Sequence, residues 1–437
     1  MTVLTGGGPG TARRTRARRA LLAGSVGNFI EWYEFGVYGA FATVIAAEFF
    51  GGDPGSGAEG LVKTYASFAL AFFFRPVGAA LFGRVGDRLG RRPALVTALL
   101  LMTAATTAIG LLPTRATLGA AAPWVLTFVR ALQGLSAGGE FGGAVSLMTE
   151  SAPCGKRGLY GAWQSFTVAL GLLAGAGLAA GTATVLGDRA LYDWGWRLPF
   201  LLALPLGLAA LWLRLGAAGA EPVRRTEEAA AEAAPAAAPR EVLRAVALGV
   251  GRIMGWSAAG YTFLVVLPTY LQHTLGATFQ QALTATFLAN LGFALSILPA
   301  GALSDRVGRR PVMAAGAGLV VLLAFPLLRV VQGEGTPTPV KGLAVLLAGA
   351  VTGLMAGPGP AMLAEMFPAR VRCTGLGLAY SLANAVFSGC AGLVLTELLD
   401  RTADADIPAY YAMATCAISG ATLLTLRADD HRRALRD

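Results

Sequence analysis

The chain has 437 residues, of which 55% are hydrophobic and only 14% are charged, and its mean hydropathy is +0.60. These values exceed what the core of a soluble domain needs, so they exclude an ordinary soluble protein and indicate a membrane protein. The net charge of +10 would suit a nucleic-acid-binding protein only if the basic residues gathered on one soluble module. They recur instead in short clusters between apolar stretches of roughly 20 residues, each long enough to cross a bilayer, so we expect lipid and no nucleic acid as a partner.

The first predicted element is an apolar run that follows five arginines between residues 13 and 19. This run differs from a secretory signal because it is too long, carries Glu31 and Glu34, and ends without a clear small-residue cleavage site. We therefore expect residues 1–19 to form a cytoplasmic tail and the run to remain as the first membrane span.

Apolar windows bounded by charged or Gly/Pro turns predict six spans in each half of the chain. The first set covers 20–48, 61–82, 93–112, 122–147, 158–183 and 196–215, and the second covers 245–271, 279–302, 311–331, 342–364, 373–397 and 408–426. Residues 216–241 between the sets are rich in Ala, Glu and Pro and read as a cytoplasmic linker. The predicted domains are therefore bundles over 20–215 and 242–426, followed by a cytoplasmic tail over 427–437.

The distribution of Lys and Arg predicts the orientation of these spans. With an even number of spans both termini lie on one side, and about 25 of the 35 basic residues fall on that side. Because an excess of basic residues in short loops marks the cytoplasmic face, we expect a multi-pass protein of the cell membrane with both termini in the cytoplasm.

Two polar strings occur twice, which indicates an internal duplication. GRVGDRLGRRP at 83–93 returns as GALSDRVGRRP at 301–311, and ESAPCGKR at 150–157 shares Glu-x-x-Pro-x-x-x-Arg with EMFPARVR at 365–372. The offsets of 218 and 215 residues are nearly equal and close to half the chain. Topology alone would explain the arginines, but it would not explain the fixed Asp, Gly and Pro positions.

The repeated arginine-rich string resembles the loop signature that transporters of the major facilitator superfamily carry between spans 2 and 3 and again between spans 8 and 9. This resemblance implies an all-α membrane protein with twelve transmembrane helices in two pseudo-symmetric six-helix bundles around a cavity at mid-bilayer. It also implies that the repeated loops act as a cytoplasmic latch. The residues expected in that latch are Gly83, Asp87, Arg88, Arg91, Arg92, Glu150, Asp305, Arg306, Arg309, Arg310, Glu365 and Arg372.

Further strings narrow the resemblance to the metabolite:proton symporter family, whose members move proline and glycine betaine, 2-oxoglutarate, citrate, shikimate and similar acids or zwitterions. These strings are GNFIEWYEFGVYG at 27–39, FFFRPVGAALFGRVGDRLGRR at 72–92, RALQGLSAGGEFGG at 130–143, YTFLVVLPTYLQHTLG at 261–276 and AEMFPARVRCTG at 364–375. Members of the family often carry Asp at the position of Glu34, so this chain keeps the charge there and extends it by one methylene.

Ionisable side chains inside the predicted spans are the strongest candidates for function, because each costs on the order of 3 kcal/mol or more at the bilayer centre. We expect the coupled proton on Glu34, Glu31 or Glu140, and a substrate carboxylate on Arg130 or Arg75, whose planar fork fits it. Tyr38 and Gln133 lie near them in sequence and complete the polar set in the first half. Fixed structural ion pairs among these acids and arginines remain an equal alternative for each residue.

The second half offers aromatic and amide groups for a quaternary ammonium or a ring, although most aromatic residues in spans serve packing. These candidates are Trp256, Tyr261, Asn290, Tyr380 and Asn384. The four cysteines, Cys154, Cys373, Cys390 and Cys416, have neither metal-ligand nor CxxC spacing, so we expect no metal and no cofactor.

The pattern as a whole favours a secondary active transporter that couples proton entry to uptake of a small carboxylate or zwitterion and works as a monomer. A proton-coupled efflux antiporter is the alternative within transport, although span 5 lacks the Gly-Pro signature common in drug antiporters. A membrane sensor is the alternative from another class. No grouping of His, Cys, Asp and Glu resembles the centre of an enzyme. The choice between proton and sodium stays open at this stage.

Overall fold

A computed structural model of the chain describes the backbone of residues 9–51, 59–89, 91–216, 238–368 and 371–426. Within these ranges the side chains of 9–24, 83–95 and 213–216, and of a few single positions, are not described. The described residues are helical in every element, and they form no strand.

The described helices make up twelve spans, six in each half. In the first half, span 1 is Pro9–Ala40 with Ala42–Phe50, span 2 is Glu59–Leu89, span 3 is Arg91–Leu111, span 4 is Ala122–Ala137 with Phe141–Glu150, span 5 is Arg157–Ala190, and span 6 is Leu191–Gly195, Arg197–Leu201 and Ala203–Gly216. In the second half, span 7 is Pro239–Tyr261, Thr262–Val266 and Leu267–His273, span 8 is Phe279–Val307, span 9 is Arg309–Gln332, span 10 is Thr338–Ala356 with Gly359–Met366, span 11 is Arg372–Ala383, Asn384–Gly389 and Ala391–Thr402, and span 12 is Ile407–Leu423.

The observed helices extend beyond several of the predicted windows. Span 1 begins at Pro9, inside the stretch predicted as a tail, and span 7 begins at Pro239, inside the predicted linker. A hydropathy window ends where charge begins, whereas a helix continues for as long as its backbone hydrogen bonds do. Most of the linker and the whole C-terminal tail, residues 217–237 and 427–437, lie outside the described residues.

Eight helical stretches in the described part of the chain are long and apolar enough to cross a membrane. They correspond to spans 4 to 11. Of the other four, span 3 has a shorter apolar helix, Val96–Leu111, and span 12 is a helix of 17 residues. Spans 1 and 2 carry Glu31, Glu34 and Arg75, and part of each lies outside the residues whose side chains are described.

The two halves pack their helices in the same pattern. Span 1 packs on span 5, span 2 on span 4, and span 3 on span 6, and the corresponding pairs 7 and 11, 8 and 10, and 9 and 12 pack in the second half. The halves meet through span 2 against span 11 and through span 5 against span 8, which are also equivalent pairs. The duplication read from the sequence thus appears as two six-helix bundles with matching neighbours.

Two glycines of span 4 bring its backbone into direct contact with span 2. A methyl group added at Gly134 would overlap the carbonyl of Ala71, and one added at Gly138 would overlap the carbonyl of Arg75. Small residues at such positions allow two helices to approach closely without a side chain between them. This contact sets the distance between the spans that carry Arg75 and Arg130.

Candidate functional site

Glu31 of span 1 and Arg75 of span 2 form an ion pair inside the first bundle. The residues are 4% and 2% exposed. The Arg75 guanidinium also lies over three rings, with its carbon 5.6 Å from the centre of Trp32, 5.2 Å from Phe35 and 4.7 Å from Phe72. Since cation–π contacts and an opposite charge both stabilise a buried cation, Arg75 has its own fixed counter-ion and cage.

Arg130 of span 4 is fully buried beside this pair and has a different environment. Its guanidinium carbon lies 4.1 Å from the ring centre of Tyr38, 5.1 Å from Phe35 and 4.9 Å from Phe68. Its Nη1 donates to Oε1 of Gln133 at 2.5 Å. Its Nε and Nη2 have no hydrogen-bond partner among the described residues. Arg130 therefore keeps two donors in a fork geometry that matches a carboxylate.

Glu34 of span 1 is 1% exposed, and neither of its carboxylate oxygens has a partner with full hydrogen-bond geometry in the described part of the chain. Arg130 and the Thr106 hydroxyl are the groups that interact with it favourably. Thr106 in turn accepts a hydrogen bond from Nε2 of Gln133 at 2.6 Å. Because a lone buried carboxylate is costly, Glu34 must either hold a proton or use the charge of Arg130.

Three aromatic residues of the second half close around this set. Tyr261 meets the ring of Phe72 edge-on at 5.5 Å, and its hydroxyl has no partner among the described residues. Tyr380 stacks on Phe141 of span 4 at 3.4 Å, and its hydroxyl interacts with Arg75. Trp256 lies 6.1 Å from the Tyr380 ring. The second half thus contributes rings and hydroxyls to a site whose charges come from the first.

The remaining candidates of the second half bond to helix backbone. Asn290 donates to the carbonyls of Leu264 and Thr286 at 3.1 and 3.0 Å. Asn384 donates to the carbonyl of Tyr380 at 2.9 Å and accepts from Ser388 at 3.0 Å. Both amides hold or border the π-helical turns of spans 7 and 11, and these bonds use both donors of Asn290 and one donor of Asn384.

Glu140 lies in the turn between the two helices of span 4 and is partly exposed, unlike Glu31 and Glu34. Sequence reasoning also passed over Phe35, Phe68, Phe72 and Thr106, which line the site. Phe68 and Phe72 share a helix face with Arg75, and that spacing could have identified them. Nothing in the sequence distinguishes Thr106 from the other threonines of span 3.

A second charged cluster joins the second arginine-rich loop to the start of span 5, on the side of the molecule that holds the start of span 1 and the end of span 12. Arg309 bonds Glu365 through Nη2 at 2.9 Å and Nε at 3.3 Å, and it bonds Asp305 at 2.8 Å. Asp305 also accepts from the backbone N–H groups of Gly158 and Leu159, at 2.7 and 2.9 Å. An acid of the second half therefore caps the first turn of span 5 in the first half.

Two further ion pairs cross between the halves at equivalent positions. Arg372 pairs with Glu150 at 2.6 Å, and Arg157 pairs with Glu365 at 3.6 Å. Arg157 and Arg372 are the last residues of the two copies of the second repeated string. The arginine of each copy therefore pairs with the glutamate that begins the other copy. Arg157 was not among the predicted latch residues.

Two other predicted latch residues do not join this cluster. Arg306 is exposed, and among the described residues Arg310 makes only a long contact of 3.5 Å to the Leu426 carbonyl. The predicted latch residues of the first arginine-rich string have side chains outside the described residues. These are Gly83, Asp87, Arg88, Arg91 and Arg92.

The halves also touch at the opposite side of the molecule. The hydroxyls of Tyr65 and Thr269 lie 2.8 Å apart, and Gln280 donates to Thr184 at 2.7 Å. The ring of Phe279 stacks on the first half at 5.8 Å. The buried charges therefore lie between two sets of contacts, one toward each side.

Comparison with known proteins agrees with this arrangement. Residues 20–217 match a family model described as sugar (and other) transporter, and residues 253–436 match one described as major facilitator superfamily. The glycine betaine/proline/ectoine/pipecolic acid transporter of Dickeya dadantii is 32% identical over 94% of this chain and 83% of its own. The alpha-ketoglutarate permease of Escherichia coli is 34% identical over 89% of each chain.

This chain belongs to the major facilitator superfamily. Within the superfamily it is a member of the metabolite:proton symporters, as the first-span and loop strings suggested. The partially occluded inward-open structure of the xylose transporter from Escherichia coli aligns with a TM-score of 0.74 over 94% of this chain and 98% of that one, at 17% identity. The fold is therefore the facilitator fold, and the protein is a multi-pass membrane transporter rather than an enzyme.

Proposed function

We propose that this facilitator takes up a small carboxylate or zwitterion across the cell membrane together with a proton. The observation that carries the proposal is the side-by-side burial of Arg130, with two open donors, and Glu34, with two carboxylate oxygens that lack partners among the described residues. Glu31 differs from Glu34 because it has an ion pair with Arg75, although Nε and Nη1 of Arg75 also lack a hydrogen-bond partner among the described residues. Buried polar groups left open in this way are typical of sites that await a ligand or a proton.

The substrate chemistry follows from the groups around Arg130. A carboxylate fits Nε and Nη2, while the rings of Tyr38, Phe35 and Phe68 and the facing Tyr261 offer surfaces for an apolar or cationic part. The substrates for which the relatives are named fit this chemistry, because betaine, proline and ectoine are zwitterionic carboxylates and 2-oxoglutarate is a carboxylate.

Glu34 serves as the proton carrier in this proposal. A carboxyl group in a dry site changes its charge when its counter-ion is engaged elsewhere. When a substrate carboxylate occupies Arg130, the positive charge that compensated Glu34 is neutralised, and Glu34 binds a proton. Substrate and proton are thus bound together, as symport requires.

The ion-pair cluster at Asp305, Arg309 and Glu365 closes the cytoplasmic side in this proposal, which places both termini in the cytoplasm. The clustering of Lys and Arg on that side supports the orientation. Opening toward the cytoplasm would break the two crossed pairs of Arg157 and Arg372 and release Gly158 from Asp305. The intact cluster would therefore favour the state that is closed inward.

The test is uptake by proteoliposomes that contain the purified full chain, with an acid exterior. Radiolabelled glycine betaine, proline, 2-oxoglutarate, citrate and shikimate serve as probes. We expect at least one of them to accumulate above its external concentration, and a protonophore to abolish that accumulation. Accumulation driven only by a sodium gradient, only by an alkaline exterior, or of none of the five probes would contradict the proposal.

A further inference from the structure

A chain of polar contacts runs from Arg130 to Glu34 through two polar side chains, and its first two links are hydrogen bonds. Arg130 Nη1 donates to Gln133 Oε1 at 2.5 Å, and Gln133 Nε2 donates to Thr106 Oγ1 at 2.6 Å. The Thr106 hydroxyl interacts in turn with the Glu34 carboxylate. All four residues are buried, with no more than 1% of any of them exposed. The chain therefore connects the two groups of the site without solvent.

The direction of this chain follows from the chemistry of its members. A guanidinium can only donate, so Gln133 must turn its carbonyl oxygen toward Arg130 and its amide N–H toward Thr106. The Thr106 oxygen accepts that bond, which leaves its own proton free to point at an ionised Glu34. Its second lone pair can accept from Glu34 when that carboxyl is protonated. Thr106 can thus interact with both charge states of the acid.

Among the described residues of span 3, Thr106 is the one that interacts with the charged site, and the other site residues of this half lie on spans 1, 2 and 4. Thr103 is on the same span and also buried, with 5% of it exposed, but its side chain packs against Gly207 of span 6, where an added methyl group would meet it. Thr103 and Thr106 therefore differ in their surroundings, because the described contacts link only Thr106 to Glu34.

We propose that Thr106 and Gln133 are positioning residues that tie the protonation of Glu34 to the state of Arg130. This inference rests on the proposed proton symport at the same site. Gln133 holds one edge of the Arg130 guanidinium, so the Nε and Nη2 edge stays open toward a substrate carboxylate. Thr106 supplies the donor that supports the Glu34 charge while the site is empty. Disruption of the Arg130–Gln133 contact would then change the pH at which Glu34 is protonated.

The experiment measures Glu34 directly, without a substrate. The full chain is reconstituted in lipid, and pH-difference infrared spectra record the carboxyl C=O band that disappears in Glu34→Gln. In Thr106→Val, which keeps the shape but removes the hydroxyl, we expect the midpoint of that band to move by about one pH unit to higher pH, because the charged form loses a donor. Thr106→Ser should restore the original midpoint, and the matched control Thr103→Val should leave it unchanged.

A double-variant comparison tests the tie to Arg130. Arg130→Lys should shift the Glu34 midpoint less in the Thr106→Val background than in the parent, because a shared chain makes the two effects non-additive. Thr106→Ala provides a second variant without the hydroxyl should Thr106→Val fail to assemble. A midpoint that does not move in either variant, an equal shift in Thr106→Ser, or shifts that simply add would overturn the inference.

The outcomes separate this inference from the proposed function. If the midpoints behave as expected but none of the five uptake probes accumulates, the roles proposed for Thr106 and Gln133 are supported and the transport proposal fails. If proton-driven uptake is normal while the Thr106→Val midpoint is unchanged, only the roles proposed for Thr106 and Gln133 are wrong.

Discussion

Two arginines share one aromatic ring in this protein and yet have opposite environments. The Phe35 ring lies 5.2 Å from the Arg75 guanidinium carbon and 5.1 Å from that of Arg130. Arg75 has an ion pair with Glu31, whereas Arg130 lies beside Glu34 without one among the described residues. Both guanidinium groups keep two donors that lack a partner in the described part of the chain. At the scale of single residues, we expect the arginine with a counter-ion to stabilise the bundle and the other to be available for substrate.

This division predicts that Glu34→Gln abolishes accumulation driven by the pH gradient while exchange of internal for external substrate continues. Exchange persists because glutamine is neutral, as Glu34 is when it holds its proton, so a substrate carboxylate can still bind Arg130. Uphill uptake of a labelled probe into proteoliposomes measures accumulation, and counterflow of the same probe measures exchange. Glu397→Gln, a change of an acid paired with Arg401 on the surface, is the matched control and should affect neither. Unimpaired uphill uptake by Glu34→Gln would move the proton site to Glu31 or Glu140.

A second prediction concerns the fork of Arg130. Arg130→Lys keeps the charge but offers one ammonium group in place of two parallel donors, so we expect KM for the transported carboxylate to rise about tenfold or more. Initial uptake rates over a concentration series measure this change. An unchanged KM would show that the substrate carboxylate does not bind Arg130.

At the scale of helices, the site depends on how closely span 2 approaches span 4. The approach is possible because Gly134 and Gly138 leave no side chain between the two backbones. Close packing of this kind takes the place of the hydrophobic effect, which does not act between helices in lipid. The positions of Arg75 and Arg130 relative to each other are therefore set by residues that never touch a substrate.

Gly134→Ala should accordingly lower the thermal midpoint of the purified protein by several degrees and reduce transport, because the new methyl group overlaps the Ala71 carbonyl. Gly143→Ala on the same span is the control, since a methyl group there meets nothing within 4 Å. Thermal unfolding followed by fluorescence distinguishes the two. Equal midpoints for both variants would contradict the packing argument.

At the scale of the whole molecule, two matching bundles meet through equivalent helices and through crossed ion pairs. In each pair an arginine of one half binds an acid of the other half, Arg372 with Glu150 and Arg157 with Glu365. Asp305 adds a contact from the second half to the first turn of span 5. These ion pairs and hydrogen bonds all lie on one side of the molecule, so their loss would favour the conformation that opens there.

This arrangement predicts that Asp305→Asn opens the side of the ion-pair cluster. Cys373 bonds Ser146 across the halves at 3.2 Å on that side, so its thiol reports the opening. In a chain that keeps Cys373 and has serine at the other three cysteines, we expect Asp305→Asn to raise the rate of maleimide labelling several-fold. Asp400→Asn, at an exposed acid at the end of span 11, is the control. Equal labelling rates would show that Asp305 does not hold the halves closed.

The sequence by itself determined much of this protein. Segment length and hydropathy specify twelve spans, because a helix must be about 20 residues long and apolar to cross a bilayer. Repeated loops specify the duplication, and the cost of a buried charge marks Glu31, Glu34, Arg75 and Arg130. The family followed from the same strings. All of these features depend on residues that are close in the chain or on composition.

Only the tertiary structure decided which acid faces which arginine. Glu31 and Glu34 are three residues apart, and either could have reached Arg130 from the sequence alone. The rotation of span 1 and the glycine contacts between spans 2 and 4 place Glu31 in an ion pair with Arg75 and Glu34 beside Arg130. The same packing brings Thr106 from span 3 and Arg157 from span 5 into clusters that the sequence did not reveal. Spacing along a helix determines which side chains share a face, but the direction of that face is set by packing among helices that are distant in the chain.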